Sequence, residues 1–288
     1  MGPRGSAAGD GVSGVRTVVA AVIGVAVTAV VIITVTVAGG AGAATPAGLG
    51  TVPPGTPAAH PFAGDRTVGP LFPPGSPAHT CTASVVDSPA GDLLITATHC
   101  VIGTASGYTF APGYHDGAEP YGTWTVVGAY VDPQWTAHLA PALDVAFLRV
   151  APHRVDGRIR EIQDVTGGNR LGSAPSTGQE VTVPAYPTGH DDDPITCTAR
   201  VSYRGVYPAF DCNPYVDGTS GSPWLLHTGH GWDVVGVIGG LHQGGCYPWT
   251  SYSAPFGPAT ARTYAAAAKG ADTAALPPPE SDGCTTGL

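Results

Sequence analysis

Three short segments of the 288-residue chain hold residue types that can do chemistry together: Leu94-Ile-Thr-Ala-Thr-His99-Cys100, Leu143-Asp144-Val145-Ala146-Phe147-Leu148 and Asp217-Gly218-Thr219-Ser220-Gly221-Ser222-Pro223-Trp224. A serine hydroxyl is a poor nucleophile until a neighbouring base takes its proton. Glycines around Ser220 make a tight turn that exposes its side chain. They also leave backbone N–H groups, here those of Gly218 and Ser220, to face a developing oxyanion. Among the ten histidines, His99 has the most constrained setting, after an apolar strand and beside Cys100. Imidazole titrates near neutral pH and is the usual general base. A disulfide from Cys100 would fix the backbone there, with Cys81 on the preceding strand as its natural partner. Asp144 heads an apolar strand; its role would be to hold the His99 ring in one tautomer and to stabilise the imidazolium. Each segment alone has an ordinary reading: a glycine-serine loop, a structural histidine, a carboxylate at a turn. Taken in the order His, Asp, Ser, each in fitting local context, they support one another.

The elements that must position these groups read as strands. Short apolar stretches recur between turn residues at Thr82 to Val86, Leu93 to Ala97, Trp124 to Tyr130, Val145 to Val150, Glu180 to Tyr186, Ala199 to Tyr203, Pro223 to Leu226 and Trp232 to Ile238. They are rich in Val, Ile, Thr and aromatics, which predicts an all-β sandwich or barrel. The 42 Gly and 29 Pro agree with many turns and few helices. One helix is expected over Ala259 to Lys269, ended by Gly270. Two packed barrels of similar size would fit, one over about 67–155 and one over about 175–262, with their join between Pro152 and Gly178. A tail, 271–288, follows the domain of 67–270.

Ahead of that domain, residues 45–66 are Ala, Pro, Gly and Thr with little to bury, and read as a linker or pro-segment. Residues 1–44 carry Arg4 and Arg16, an uncharged apolar run from Thr17 to Ala38, and the small residues Ala41-Gly42-Ala43. That is the pattern of a cleaved export signal; the run is also long enough for an uncleaved membrane anchor. Either places the rest outside the cytoplasm, secreted or anchored by this segment alone. All six cysteines (Cys81, Cys100, Cys197, Cys212, Cys246, Cys284) follow the run. An even count in an exported chain suggests three disulfides. With no C-x-x-C or C-x-x-H pair, a zinc site is not expected. The acidic run Asp191-Asp192-Asp193 lacks the spacing of a calcium loop and reads as a solvated turn. Twelve scattered Lys and Arg and a formal net charge of −9 argue against nucleic acid as a partner.

The three segments, Thr-Ala-Thr-His99-Cys100, Asp144-Val-Ala-Phe-Leu and Gly218-Thr-Ser220-Gly-Ser-Pro, resemble the signature blocks of trypsin-like serine proteases. Phe210-Asp-Cys212-Asn-Pro and Val237-Ile-Gly-Gly-Leu-His242 resemble the bacterial glutamyl-endopeptidase-like branch. The likeness runs from about Thr67 to Arg262. It implies two packed six-stranded antiparallel β-barrels of the chymotrypsin kind with the site in the cleft between them. It also implies His99 as general base, Asp144 as its orienter, Ser220 as nucleophile and the Gly218 and Ser220 amides as the oxyanion hole. No cofactor is required by such chemistry, and a monomer acting on a protein or peptide substrate is expected. Two positions depart from the animal enzymes. Thr219 stands where they carry an Asp that pairs with the new N-terminus on activation, and Ser222 stands where they have Gly. His242 falls where glutamyl-specific relatives use a histidine to bind the substrate carboxylate, while Tyr215 or Val216 stands where they have a small hydroxyl residue. Cys197 and Cys212 flank a strand pair and could bridge there, which would leave Cys246 for Cys284; with Cys81–Cys100 accepted, sequence alone leaves three pairings of these four open.

Two other functions compete. An α/β-hydrolase esterase would carry G-x-S-x-G followed by Asp and His. Here the fifth position is Ser222, and Asp233 and His242 are crowded onto neighbouring segments. An inactive member of the same fold acting as a binding module would be expected to have lost a triad residue, and this chain retains all three.

Overall fold

The structure is a computed structural model that describes residues 51–188, 193–271 and 275–284. The apolar N-terminal run with Ala41 to Ala43, and Asp191 and Asp192, lie outside the described residues. No helix among the described residues is long and apolar enough to cross a membrane.

Six strands close into a barrel in the order Val68–Phe72, Cys81–Val85, Leu93–Thr96, Ala146–Val150, Trp124–Val131 and Thr109–Phe110, the last pairing back to the first. All six pairings are antiparallel. Side chains alternate across a strand, so one face fills the barrel and the other looks outward. Leu94, Phe110, Trp124, Val126 and Leu148 fill the interior. Leu93, Ile95 and Phe147 point the other way, into a second buried cluster with Leu225, Val234 and Val237 of the second half. This explains why Leu93–Thr96 is apolar without alternation: both of its faces are covered. In Trp124–Val131 the alternation holds until a register shift between Val126 and Gly128.

The second half is built mainly from two sheets. Five strands run in the order Arg170–Leu171, Gly231–Val237, Pro223–Thr228, Glu180–Thr182 and Thr198–Arg200; three run in the order Ser202–Arg204, Tyr207–Asp211 and Thr250–Tyr252. The stretch Ala199 to Tyr203, expected as one strand, is broken at Val201, and its two pieces belong to different sheets. The pairing of Arg170–Leu171 with Asp233 and Val234 is parallel, unlike the antiparallel pattern expected throughout. Phe210 packs edge-on against Trp224 and Tyr215, with ring centroids 5.0 and 5.1 Å apart. Cys197 and Cys212 form a disulfide inside this cluster and tie the two sheets together. Closing a loop across their separation of 15 residues contributes about 3 kcal/mol by restricting the unfolded chain.

The helix spans Pro258–Lys269, with proline at its first turn and Gly270 in a left-handed cap. Arg149 of the first barrel donates to the carbonyl of Ala267 in its last turn and pairs with Asp92 at 2.9 Å. The chain then returns to the first barrel, where Leu276 and Gly103 exchange both backbone hydrogen bonds and the Leu276 side chain is buried.

The segment before Thr67, expected to lack packing partners, is in part bound to the second half. His60–Pro61 pairs with Ile195–Thr196, Ala59 N–H donates to Asn213, and Asn213 N–H donates to Pro57. Its composition offers little apolar surface, but backbone groups need no particular side chain to join a sheet edge.

Gly69 tests how closely the first strand is covered. A Cβ there would lie 2.2 Å from the carbonyl oxygen of Ala111. Gly69→Ala is therefore expected to destabilise the fold by about 3 kcal/mol through overpacking, read as a lower urea midpoint with an unchanged slope. A midpoint equal to wild type would show that the 110–113 segment is not seated on this strand.

Candidate active site

The strand Leu93–Thr96 ends in a short turn, Thr98–Cys100, that buries Thr98 and Cys100 and leaves His99 at the edge. Cys100 is bonded to Cys81, with Cα atoms 5.9 Å apart, so the backbone beside His99 is pinned to the neighbouring strand. Asp144 ends the turn Pro141–Leu143, just before the strand Ala146–Val150. Its Oδ2 lies 2.7 Å from His99 Nδ1 and accepts from Gly240 N–H at 2.8 Å; its Oδ1 accepts from His99 N–H at 2.9 Å. Burial opposes the charge on this carboxyl, whose side chain is 3 % exposed. The His99 ring and the two amides outweigh it and hold the group below the usual carboxylate range. With Nδ1 donating to the carboxylate, Nε2 of the neutral ring is an acceptor.

Ser220 sits in a turn whose amides are sorted. Those of Thr219, Gly221 and Ser222 donate to Val216, Ile238 and Thr219 respectively. The amides of Gly218 and Ser220 donate to no protein acceptor among the described residues. Two glycines make the turn possible. Gly218 has φ +90° and its Cβ would lie 2.3 Å from Thr188 N; Gly221 has φ +80° and its Cβ would lie 2.1 Å from Thr96 Oγ1. The outer support is Thr82, fully buried in the first barrel. Its N–H donates to Ser220 O at 2.8 Å, and its Oγ1 donates to Gly218 O at 3.0 Å while accepting from Tyr186 N–H at 3.0 Å.

His99, Gly218, Ser220 and His242 line one cleft of about 510 Å³, together with Cys81, Cys100, Asp217 and the edge of Tyr215. Asp144 lies behind His99. Ser220 Oγ makes no hydrogen bond to the ring; in unliganded sites such bonds are often long and tighten when substrate binds. His242 stands in a tight turn, Leu241–Gly244, at φ 53°, and its Nδ1 is 3.0 Å from the carbonyl oxygen of Asp282. Cys246 and Cys284 form the third disulfide. The sulfurs near His99 and His242 are thus all committed to disulfides and offer no thiolate to a metal. Sequence reasoning missed Thr82, the Gly240 amide and the contribution of residues 279–282. A threonine in a strand signals only β-propensity, and a backbone amide gives no signal.

A histidine held by a buried aspartate, facing the cleft that carries a serine turn between two β-halves, defines the chymotrypsin-fold class of proteases. Residues 81–237 of the 288 match the family of trypsin-like peptidase domains, and the chain belongs to that family. Among solved structures it is similar to the protease Anisep from Arthrobacter nicotinovorans (TM-score 0.62, 22 % identity, 73 % of this chain and 99 % of that one covered). It is also similar to the thermostable serine protease AL20 from an extremophilic microorganism (0.60, 21 %, 71 % and 98 %). A Glu endopeptidase is a third neighbour (0.57, 18 %, 75 % and 98 %). At these identities the likeness establishes the fold. No curated protein matches the sequence.

Two predictions follow from this geometry. Thr82→Val keeps the shape of the side chain but drops the bond to Gly218 O and leaves Tyr186 N–H without its acceptor, and is expected to lower kcat by about 10-fold, with KM little changed and Thr82→Ser recovering most of it. Equal losses in the valine and serine variants would rule out a role for the hydroxyl. Asp144 has a folded pKa below its unfolded value, so its stabilisation is complete above about pH 4 and is lost as pH falls through the folded value. The stability gap between wild type and Asp144→Asn, from urea unfolding, should therefore be widest near neutrality and shrink in acid. A gap independent of pH would contradict the assignment.

Proposed function

We propose that the chain is an exported serine endopeptidase that cleaves peptide bonds through a His99–Asp144–Ser220 triad and an acyl-enzyme. The observation that carries this reading is the pairing of His99 Nδ1 with the buried Asp144 beside a serine turn that leaves the Gly218 and Ser220 amides unused. Ser220 Oγ attacks the carbonyl carbon while His99 Nε2 takes its proton. The oxyanion is held by the two amides, each donor of this kind being worth about 3 kcal/mol in the transition state. His99 then gives the proton to the leaving amine, and water, activated by the same ring, releases the acyl group. Thr219, buried and uncharged, offers no partner to a new N-terminal ammonium, so activation does not use the ion pair of animal trypsins.

His242 is the group placed to read the residue before the scissile bond. Its Nδ1 donates to the Asp282 carbonyl, so Nε2 would donate to a substrate carboxylate from the imidazolium form of the ring. Export is supported by the three disulfides and by the apolar N-terminal run, which intact-mass analysis of protein from the medium would show to be removed.

A fluorophosphonate probe is expected to label wild type and not Ser220→Ala. Mass-spectrometric profiling of cuts in a denatured protein is expected to show Glu or Asp before the cut, and to lose that enrichment in His242→Ala. Labelling that persists in Ser220→Ala would remove the nucleophile assignment. Absence of labelling in the mature wild type would favour a binding module. Cuts without acidic enrichment would remove only the role of His242.

A further inference from the structure

The C-terminal segment crosses from one half of the molecule to the other beside the cleft. It begins at Leu276, bonded to Gly103 and buried in the first barrel, and ends at Cys284, bonded to Cys246 in the second half. Between these two anchors it is held twice more. Gln243 Nε2 donates to the carbonyl of Glu280, and His242 Nδ1 is paired with the carbonyl of Asp282. Carbonyls two residues apart on one side mark a chain laid out in extended form. On its inner side lies a second cavity of about 270 Å³. It is lined by His99 and Asp144, by Trp135, Leu139 and Pro141, by Gly240, His242 and Gln243, and by residues 279–282. The main cleft and this cavity share His99, His242, Gln243 and Asp282, whereas Ser220 and Gly218 belong to the main cleft alone.

We propose that the segment from Pro277 to Cys284 is a built-in wall of the substrate site, and that it gives the enzyme selectivity for an apolar side chain next to the residue held in the main cleft. The proposal rests on the peptidase reading above. The cavity adjoins the catalytic ring, so a peptide positioned for attack places a neighbouring side chain at its mouth. Trp135, Leu139, Pro141 and Pro279 offer that side chain apolar surface. The carbonyls of Glu280 and Asp282 are already bonded by Gln243 and His242, and the Asp282 carboxylate accepts from Cys284 N–H at 2.8 Å. An acidic side chain would enter a cavity whose lining already includes three acidic residues, Asp144, Glu280 and Asp282.

The test uses pairs of peptides differing only in Leu or Gly at the position before the residue in the main cleft, with a second pair varied at the position after it. The ratio of kcat/KM within a pair is independent of the active fraction of the enzyme. Wild type is expected to favour Leu by about 10-fold or more in one pair, the scale of discrimination that a hydrophobic pocket achieves. Two variants alter the wall. Deletion of 277–288 combined with Cys246→Ser removes it, and Ser281→Phe, a change at an exposed position, fills the cavity from the tail side. Both are expected to bring the ratio to within about threefold of unity. Ser281→Phe decides the matter alone if the truncated chain does not fold. Wild-type ratios in the variants, or no preference in wild type, would overturn the role of the tail while leaving the peptidase reading intact. A wild type that cleaves none of the peptides would overturn both.

Discussion

The serine turn owes its shape to a residue of the opposite half. Thr82 receives the carbonyls of Gly218 and Ser220 on its hydroxyl and its amide. Those two bonds fix the 218–219 and 220–221 peptide planes, and the amides proposed for the oxyanion, in the 217–218 and 219–220 planes, are each joined directly to a plane so fixed. Preorganisation of this sort is where most electrostatic rate enhancement arises, because donors already in place need not be turned during the reaction. A turn held only by its own half could relax into a form that satisfies its amides internally. The clamp prevents this, at the cost of making the site depend on the packing of the two halves. That packing is supplied by Leu93, Ile95 and Phe147 against Leu225, Val234 and Val237.

The same cross-linking governs the buried carboxylate. Isolated in an apolar interior, Asp144 would take up a proton. It stays ionised because it draws one amide from each half, His99 and Gly240, besides the imidazole. At the junction both oxygens of Asp144 are therefore satisfied. The position of the site follows from hydrogen-bond satisfaction as well as from access for a substrate.

What could be read from the sequence was whatever residue type and local pattern express. His99, Asp144 and Ser220 could be singled out because each stands in a short, distinctive local context, and the structure pairs the first two and sets His99 and Ser220 on one cleft. Leu93–Thr96 was legible as an unbroken apolar run, and the helix end as a glycine. What escaped depended on distant partners. The break at Val201 reflects which sheet each piece joins, and the binding of Pro57 to Pro61 is carried by backbone bonds. The hydroxyl of Thr82 could not be told from that of any other strand threonine. The tail escaped for a related reason: a run of prolines followed by small polar residues predicts disorder when taken alone, and its order comes from Leu276 and a disulfide.

That disulfide has two separate effects. In the unfolded chain it closes a loop across a separation of 38 residues, worth about 4 kcal/mol in the chain-entropy account against about 3 for the separation of 19 in Cys81–Cys100. In the folded chain it holds an exposed segment with little apolar surface, which hydrophobic burial could not keep in place. Cys81, Cys100 and Cys246 all line the cleft, while Cys197–Cys212 sits in the core of the second half. Two of the three covalent links thus serve the edges of the site, one beneath His99 and one at the end of the strap. A chain with only 11 % charged residues has few ion pairs with which to order such edges, and surface pairs would contribute under 1 kcal/mol each in any case. Covalent pinning is the remaining means of ordering them, and it ties the geometry of the cleft to an oxidising compartment.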